Sequence, residues 1–399
     1  MIFPVCFVAS TFIQSQSQVN PGANIEMIPG TNRDQIDVDA IIQLDPQGPL
    51  DRAVNQVIGE TLLAGTRDYG KADFDALTGS TGNRIRCEVL PDAIHIWFSI
   101  RPSDAVSLPN LLDNLLFHAS LNEDDLNKSI SNLKNQNWDY WKSALYPAIL
   151  PFSDIRVHDI TDEYSILCNP SRIFVTIKGP VEFANLPAKI NALVEQEPAL
   201  QPPRHLRDPL PYEFKKANSR PLDSLTLVGN PIQVNKDFPA NLIAMFCLGS
   251  GKGSILFQSV RQKLGWSYRQ EADFIGSCEG LRPTIVVILK TSHDILGRSM
   301  ELRKEITGAI NALTEQDRMR AAAMAEAVLT RSVGMNPLDS ISEDSDSELF
   351  LDSYWRMKTG SDWDADQLIR QMDQIPLDDL KLHLLDIVNS STTEVIAGS

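Results

Sequence analysis

Between residues 249 and 268 the chain reads GSGKGSILFQSVRQKLGWSY, and this stretch narrows what the chain can fold into. It opens on a glycine-rich turn, which suits backbone angles that only glycine adopts without strain. Ile255, Leu256, Val260 and Leu264 then recur so as to give one apolar helical face. Gly265 predicts the helix stop, and Trp266 and Tyr268 beyond it predict the start of a strand. Arg261 and Tyr268 are therefore placed across a helix-to-strand corner, where two such side chains can grip an extended peptide. The plainer alternative is an amphipathic helix with a surface arginine and a half-buried tyrosine. A phosphate-binding loop is excluded, because Phe246 stands where that motif needs glycine and Gly253 where it needs Ser or Thr.

A chain of 399 residues has room for two domains. Six prolines between Pro198 and Pro221, with charges among them, mark the linker, so the expected division is 31–197, a linker at 198–221, and 222–399. The formal net charge of −16 argues against nucleic acid, which needs a basic face, and leaves a peptide or a basic partner. Cys6, Cys87, Cys168, Cys247 and Cys278 are scattered without a C-x-x-C pair, so neither a disulfide framework nor a cysteine metal cluster is expected. Residues 1–30 begin with an apolar run too short to span a bilayer; it is similar to the core of an export signal but lacks the positive start. The compartment, cytoplasmic or exported, stays open, and no stable membrane insertion is expected.

Strands are expected at Ile36–Leu44, on both sides of Pro91-Asp92 within 84–100, at 172–178 and at 284–290. Helices are expected at 50–64, from Ala72 to Gly79, after a cap at Ser103 or Asp104, and at 121–141, 183–194, 294–313 and 315–332. One or two strands are expected around 225–234, and two helices and a strand at the C-terminal end. The acidic run 338–352 is expected as a solvated loop. Helix and strand alternate without a strict βαβ rhythm in both halves, which gives α+β in two similar domains.

Ser254, Leu256, Phe257, Arg261, Gly265 and Tyr268 fall in register with a pattern from the second domain of the M16 (pitrilysin/insulinase-like) zinc peptidases, and the chain resembles that family. Glu60 to Thr66 (ETLLAGT), Tyr69, DFDAL at 73–77 and LNEDDL at 121–126 are similar to the segment that follows the family's inverted zinc motif, His-x-x-Glu-His. The resemblance implies two domains, each a mixed, mainly antiparallel sheet with helices on one face. It implies that Arg261 and Tyr268 support substrate beside a zinc ion.

In the same alignment the metal histidines fall at Gln56 and Glu60, the catalytic glutamate at Gly59 and the third ligand at Gln136. Amides are poor zinc ligands, and Gly59 has no side chain to act as a base. The six histidines, His95 among them in an apolar strand, are scattered and read as structural. The expectation is a zinc-free subunit of a heterodimeric peptidase, whose partner chain carries His-x-x-Glu-His and the zinc and acts on a peptide substrate. The alternatives are an inactive M16-like scaffold, or an enzyme that holds zinc through Glu60 and other atypical ligands.

Overall fold

A computed structural model describes residues 23–30, 32–45, 49–79, 81, 84–135, 152, 155–195, 223–232, 234–277, 280–289, 295–330 and 347–397. The signal-like run, the proline-rich linker, Gln136 and most of the acidic run lie outside them.

In the first half the elements are β1 (Asn24–Pro29), β2 (Ile36–Gln43), α1 (Pro49–Leu62), α2 (Lys71–Gly79), β3 (Arg86–Val89) and β4 (Ala93–Ile100). After these come α3 (Leu108–Phe117), α4 (Glu123–Asn135), α5 (Val157–Leu167), β5 (Ile173–Gly179) and α6 (Leu186–Val194). The strands form one sheet in the order β1-β5-β2-β4-β3, antiparallel except for the parallel pair β1 and β5. The first domain, expected from residue 31, thus takes in Asn24–Pro29 as its edge strand.

Strand alternation sorts the side chains of this sheet between two faces. Ile36, Val38, Ala40 and Ile42 join Ile94, Ile96, Phe98, Ile173 and Val175 in a core with α1, α3, α5 and α6. The intervening Asp37, Asp39, His95, Trp97, Ser99 and Thr176 point to the other face, which is polar over this part and apolar at Ile41, Ala93 and Phe174, where it meets the second core. The expected cap at Ser103 or Asp104 is not used. Pro102–Ser107 forms a 3-10 turn, and α3 begins after Ser107 with Pro109 in its first turn, where a missing N–H costs nothing.

The second half holds β6 (Asp223–Val228), α7 (Val234–Gly249), β7 (Gln270–Ser277), β8 (Gly280–Leu289), α8 (Ile295–Asn311) and α9 (Glu315–Leu329). It closes with α10 (Ser347–Thr359), α11 (Ala365–Asp373), α12 (Leu377–Ser390) and β9 (Thr392–Ala397). Its sheet runs β7-β8-β6-β9, antiparallel throughout. Helix α7 is apolar all round and is enclosed accordingly: Phe238, Leu242, Ile243, Met245, Phe246, Cys247 and Leu248 are buried between the sheet and α9, α11 and α12.

The end of the acidic run is not a solvated loop. It lies in α10, where Leu349, Phe350, Leu351 and Asp352 are buried. This helix leaves its own half and lies on the polar face of the first sheet, against β2 and β5. Arg356, 2% exposed, donates to Val175 O at 3.0 Å, to Thr176 Oγ1, and to Asp352 Oδ2 at 3.1 Å. Asp92, in the β3–β4 turn, accepts from Tyr354 Oη at 2.6 Å and faces Lys358 Nζ at 2.5 Å. Lys358 also donates to Ser277 O of the second sheet at 2.6 Å, so one helix ties both sheets together.

In α5, burial above all, together with the nearby Asp51 and Asp45 carboxylates, pushes the Glu163 carboxyl up to about 7. A folded value above the unfolded one means that this group supports folding in acid, and that the support is lost as pH rises through 7. Glu163→Gln is therefore expected to raise stability at pH 8 by about 1–3 kcal/mol and to change little at pH 4. Urea titrations at the two pH values check this. An equal effect at both would remove the assigned cause.

Candidate functional site

The corner predicted at 249–268 forms, in a tighter shape than the spacing implies. Gly251 has φ +74°, and the following helix winds through a π-helical stretch at Phe257–Lys263. Leu264 N bonds Ser259 O at 2.9 Å and Trp266 N bonds Val260 O at 3.1 Å. Gly265, at φ +64°, ends the helix as expected. Wide turns of this kind rotate side chains off the regular helical positions and recur at functional sites. Tyr268 does not open a strand, since β7 starts at Gln270. Ser267, buried, folds the chain back by accepting from Arg269 N at 3.0 Å and donating to Arg269 O at 2.6 Å.

The result is an exposed pair. The Arg261 guanidinium lies 5.3 Å from the Tyr268 ring centre and 5.1 Å from that of Phe257. Tyr268 is 68% exposed, not half-buried, so the pair faces solvent. A cation over two rings at this range gains about 0.5–1 kcal/mol per contact in water, enough to bias the arginine's direction.

The described positions aligned with the zinc motif all sit on α1 where it crosses β3. Gln56 is buried, and its amide donates to Val89 O at 3.2 Å. Glu60 accepts from Asn132 Nδ2 at 3.2 Å. A Cβ on Gly59 would lie 2.4 Å from Val89 Cγ2 and 3.5 Å from Cys87 Sγ. Val89 thus fills the space in which a catalytic carboxylate would stand. One neutral amide turned to a backbone carbonyl, one carboxylate and a closed gap do not fit a zinc ion that needs three donors and an open position.

Gly59→Ala is expected to destabilise by about 1–3 kcal/mol through overpacking, despite the better helix propensity of alanine. Val89→Ala in the same chain is expected to recover most of the loss. A thermal melt of the three variants checks it, and a neutral single variant would contradict the packing argument.

Other titratable groups offer no substitute nucleophile or metal site among the described residues. Burial pushes the Cys247 thiol up to about 12 and the Cys87 thiol higher still. His95 Nε2 lies 2.5 Å from Asp39 Oδ2, and His118 Nε2 lies 3.3 Å from Asp113 Oδ2, so both histidines are held by carboxylates. Glu26, Asp352 and Asp362 converge, but Arg356 already stands 3.5 Å from Glu26 and 3.1 Å from Asp352.

No protein-family model and no curated protein matches the chain. Solved structures do. The crystal structure of a peptidase M16 inactive domain from Pseudomonas fluorescens superposes with a TM-score of 0.68 at 13% identity, covering 94% of this chain and 95% of that one. The chain has the M16 peptidase fold. A protease from Helicobacter pylori has the same TM-score at 14% identity, with 94% of this chain and 97% of that one covered. A conserved protein from Enterococcus faecalis V583 follows at 0.66 and 11% identity, over 96% and 98% of the two chains. At these identities the likeness concerns the fold. Within the M16 fold of this chain, Arg261 and Tyr268 are brought together, and Gln56, Gly59 and Glu60 lie on one helix.

Proposed function

We propose that this chain is a non-catalytic M16-fold subunit that lends Arg261 and Tyr268 to a zinc site held by a partner chain. The observation that carries this reading is the contrast within one molecule. Val89 closes the space beside Gly59 and Gln56 is tied to a backbone carbonyl, while the arginine and tyrosine are stacked and presented to solvent. The description of one similar structure as an inactive M16 domain supports the non-catalytic half of the reading. In it, the Tyr268 hydroxyl donates to the scissile carbonyl oxygen as negative charge develops there, and Arg261 holds a carbonyl or carboxylate of the peptide.

The test is purification of the tagged full-length chain from its native source, with the bound proteins identified and the eluate assayed for zinc and peptide hydrolysis. Recovery of a similar-sized chain bearing His-x-x-Glu-His, with stoichiometric zinc and peptidase activity, is the expected result. A zinc-free, inactive eluate would overturn it and leave a scaffold role.

A further inference from the structure

A cavity lies on the polar part of the first sheet's outer face, between β2–β4–β3 and helix α10. It measures about 250 Å³ and opens over Asp37, Asp39, Trp97, Arg84 and Arg86, with Leu349 of α10 at its wall. Strand register explains why these residues meet. Asp39 pairs with Trp97 across β2 and β4, and Trp97 pairs with Arg86 across β4 and β3. A carboxylate, an indole and a guanidinium therefore form one row on one face, spanning about 10 Å at ordinary strand spacing.

The two ends of the row carry opposite charge and differ in how they are held. At one end Asp39 is 1% exposed; its Oδ2 is bound to His95, but its Oδ1 has no hydrogen-bond partner among the described residues. Buried carboxylate oxygens are nearly always met by a donor, and Asp39 is among the residues that line the cavity, so its orphan oxygen calls for one there. Neighbouring Asp37 already accepts from Ser99 Oγ at 2.6 Å, which leaves Asp39 the one in need. At the other end Arg84 and Arg86 are exposed, and the ion pair of Arg84 with Asp75, at 3.7 Å, is open to water and weak. Guanidinium groups so placed suit a carboxylate. Between them the Trp97 ring is steadied by stacking on His95, with centres 4.4 Å apart and planes 15° apart.

We propose that this cavity binds a dipolar ligand, a free amino acid or unblocked dipeptide. Its ammonium group goes to Asp39 Oδ1 and its carboxylate to Arg84 and Arg86, with the body of the ligand over Trp97. The volume is below that of drug-sized pockets and fits one or two residues. The site uses neither Arg261 nor Tyr268 and stands or falls apart from them.

Calorimetry on the full chain tests it, with free amino acids, unblocked dipeptides, and the same dipeptides N-acetylated or C-amidated. Unblocked dipeptides are expected to bind with a Kd of about 1 mM or tighter, and each blocking group to weaken binding by about tenfold, one lost charged contact. Arg86→Gln, at an exposed position, is expected to reduce the preference for a free carboxylate, with Arg84 keeping the remainder. Asp39→Asn is expected to abolish the preference for a free amine. Should that variant fail to fold, Trp97→Leu, expected to weaken all ligands alike, takes its place. Absence of binding at about 10 mM, about ten times the expected dissociation constant, or equal affinity for blocked and unblocked dipeptides, would overturn the proposal. So would unchanged binding in Arg86→Gln.

Discussion

Arg356→Met is expected to cost the folded protein about 3–5 kcal/mol, the range seen when one partner of a buried ion pair is removed. The guanidinium is 2% exposed and donates to Val175 O, Thr176 Oγ1 and Asn24 Oδ1 of the first half, as well as to Asp352 on its own helix. Methionine keeps much of the volume and supplies no donor. Asp352, itself 6% exposed, would stay buried as a charge, with Thr176 Oγ1 at 2.9 Å and Trp363 N at 3.4 Å as its remaining donors among the described residues. Urea unfolding of the full chain measures the loss. Asp352→Asn in the same chain is expected to restore part of it, because the stranded charge goes with the second substitution. A loss below about 1 kcal/mol would place Arg356 among ordinary surface pairs and refute the argument.

The second large effect concerns the proposed complex. Tyr268→Phe is expected to lower its kcat by about 10²-fold, the scale of one lost donor to a developing oxyanion. Phenylalanine keeps the ring that lies beneath the Arg261 guanidinium and removes only the hydroxyl. Because Tyr268 is 68% exposed, folding and assembly with the partner should be unchanged, as melting temperature and gel filtration would report. Arg261→Ala is expected to act mainly on KM, since it removes a grip on the peptide rather than on the reacting oxygen. An unchanged kcat in Tyr268→Phe would end the role given to the hydroxyl.

Much of the fold is legible in the sequence, for reasons that also explain the gaps. Strands β2, β4, β5 and β8 carry apolar runs or alternation, and both patterns survive as local signals. Helix α7 escapes such a reading because Pro239 interrupts it and because a helix buried on every side has no polar stripe to betray its period. Helix α10 is hidden by acids: the charge of the run from 338 to 352 suggests water, yet Asp352 is buried against Arg356.

The candidate site is legible in its spacing and not in its surroundings. Arg261 and Tyr268 can be picked out because helix, stop and turn are local, and the structure stacks them. That Val89 closes the space beside Gly59 depends on how α1 packs on β3, which no local pattern reports. The row of Asp39, Trp97 and Arg86 depends in the same way on strand register, and a slip of one residue would scatter it.

The position of α10 bears on what happens when the chain is divided. Cutting within the proline-rich segment would give two fragments, each missing a surface that the other supplies. The amino-terminal piece would expose Asp92, Thr176 and the polar sheet face, and the carboxy-terminal piece would carry Arg356 and Lys358 without the acceptors they reach in the first half. Neither fragment is then a self-sufficient folding unit, and the two should complement each other when produced together. Although built of two similar halves, the molecule is expected to unfold as one cooperative body.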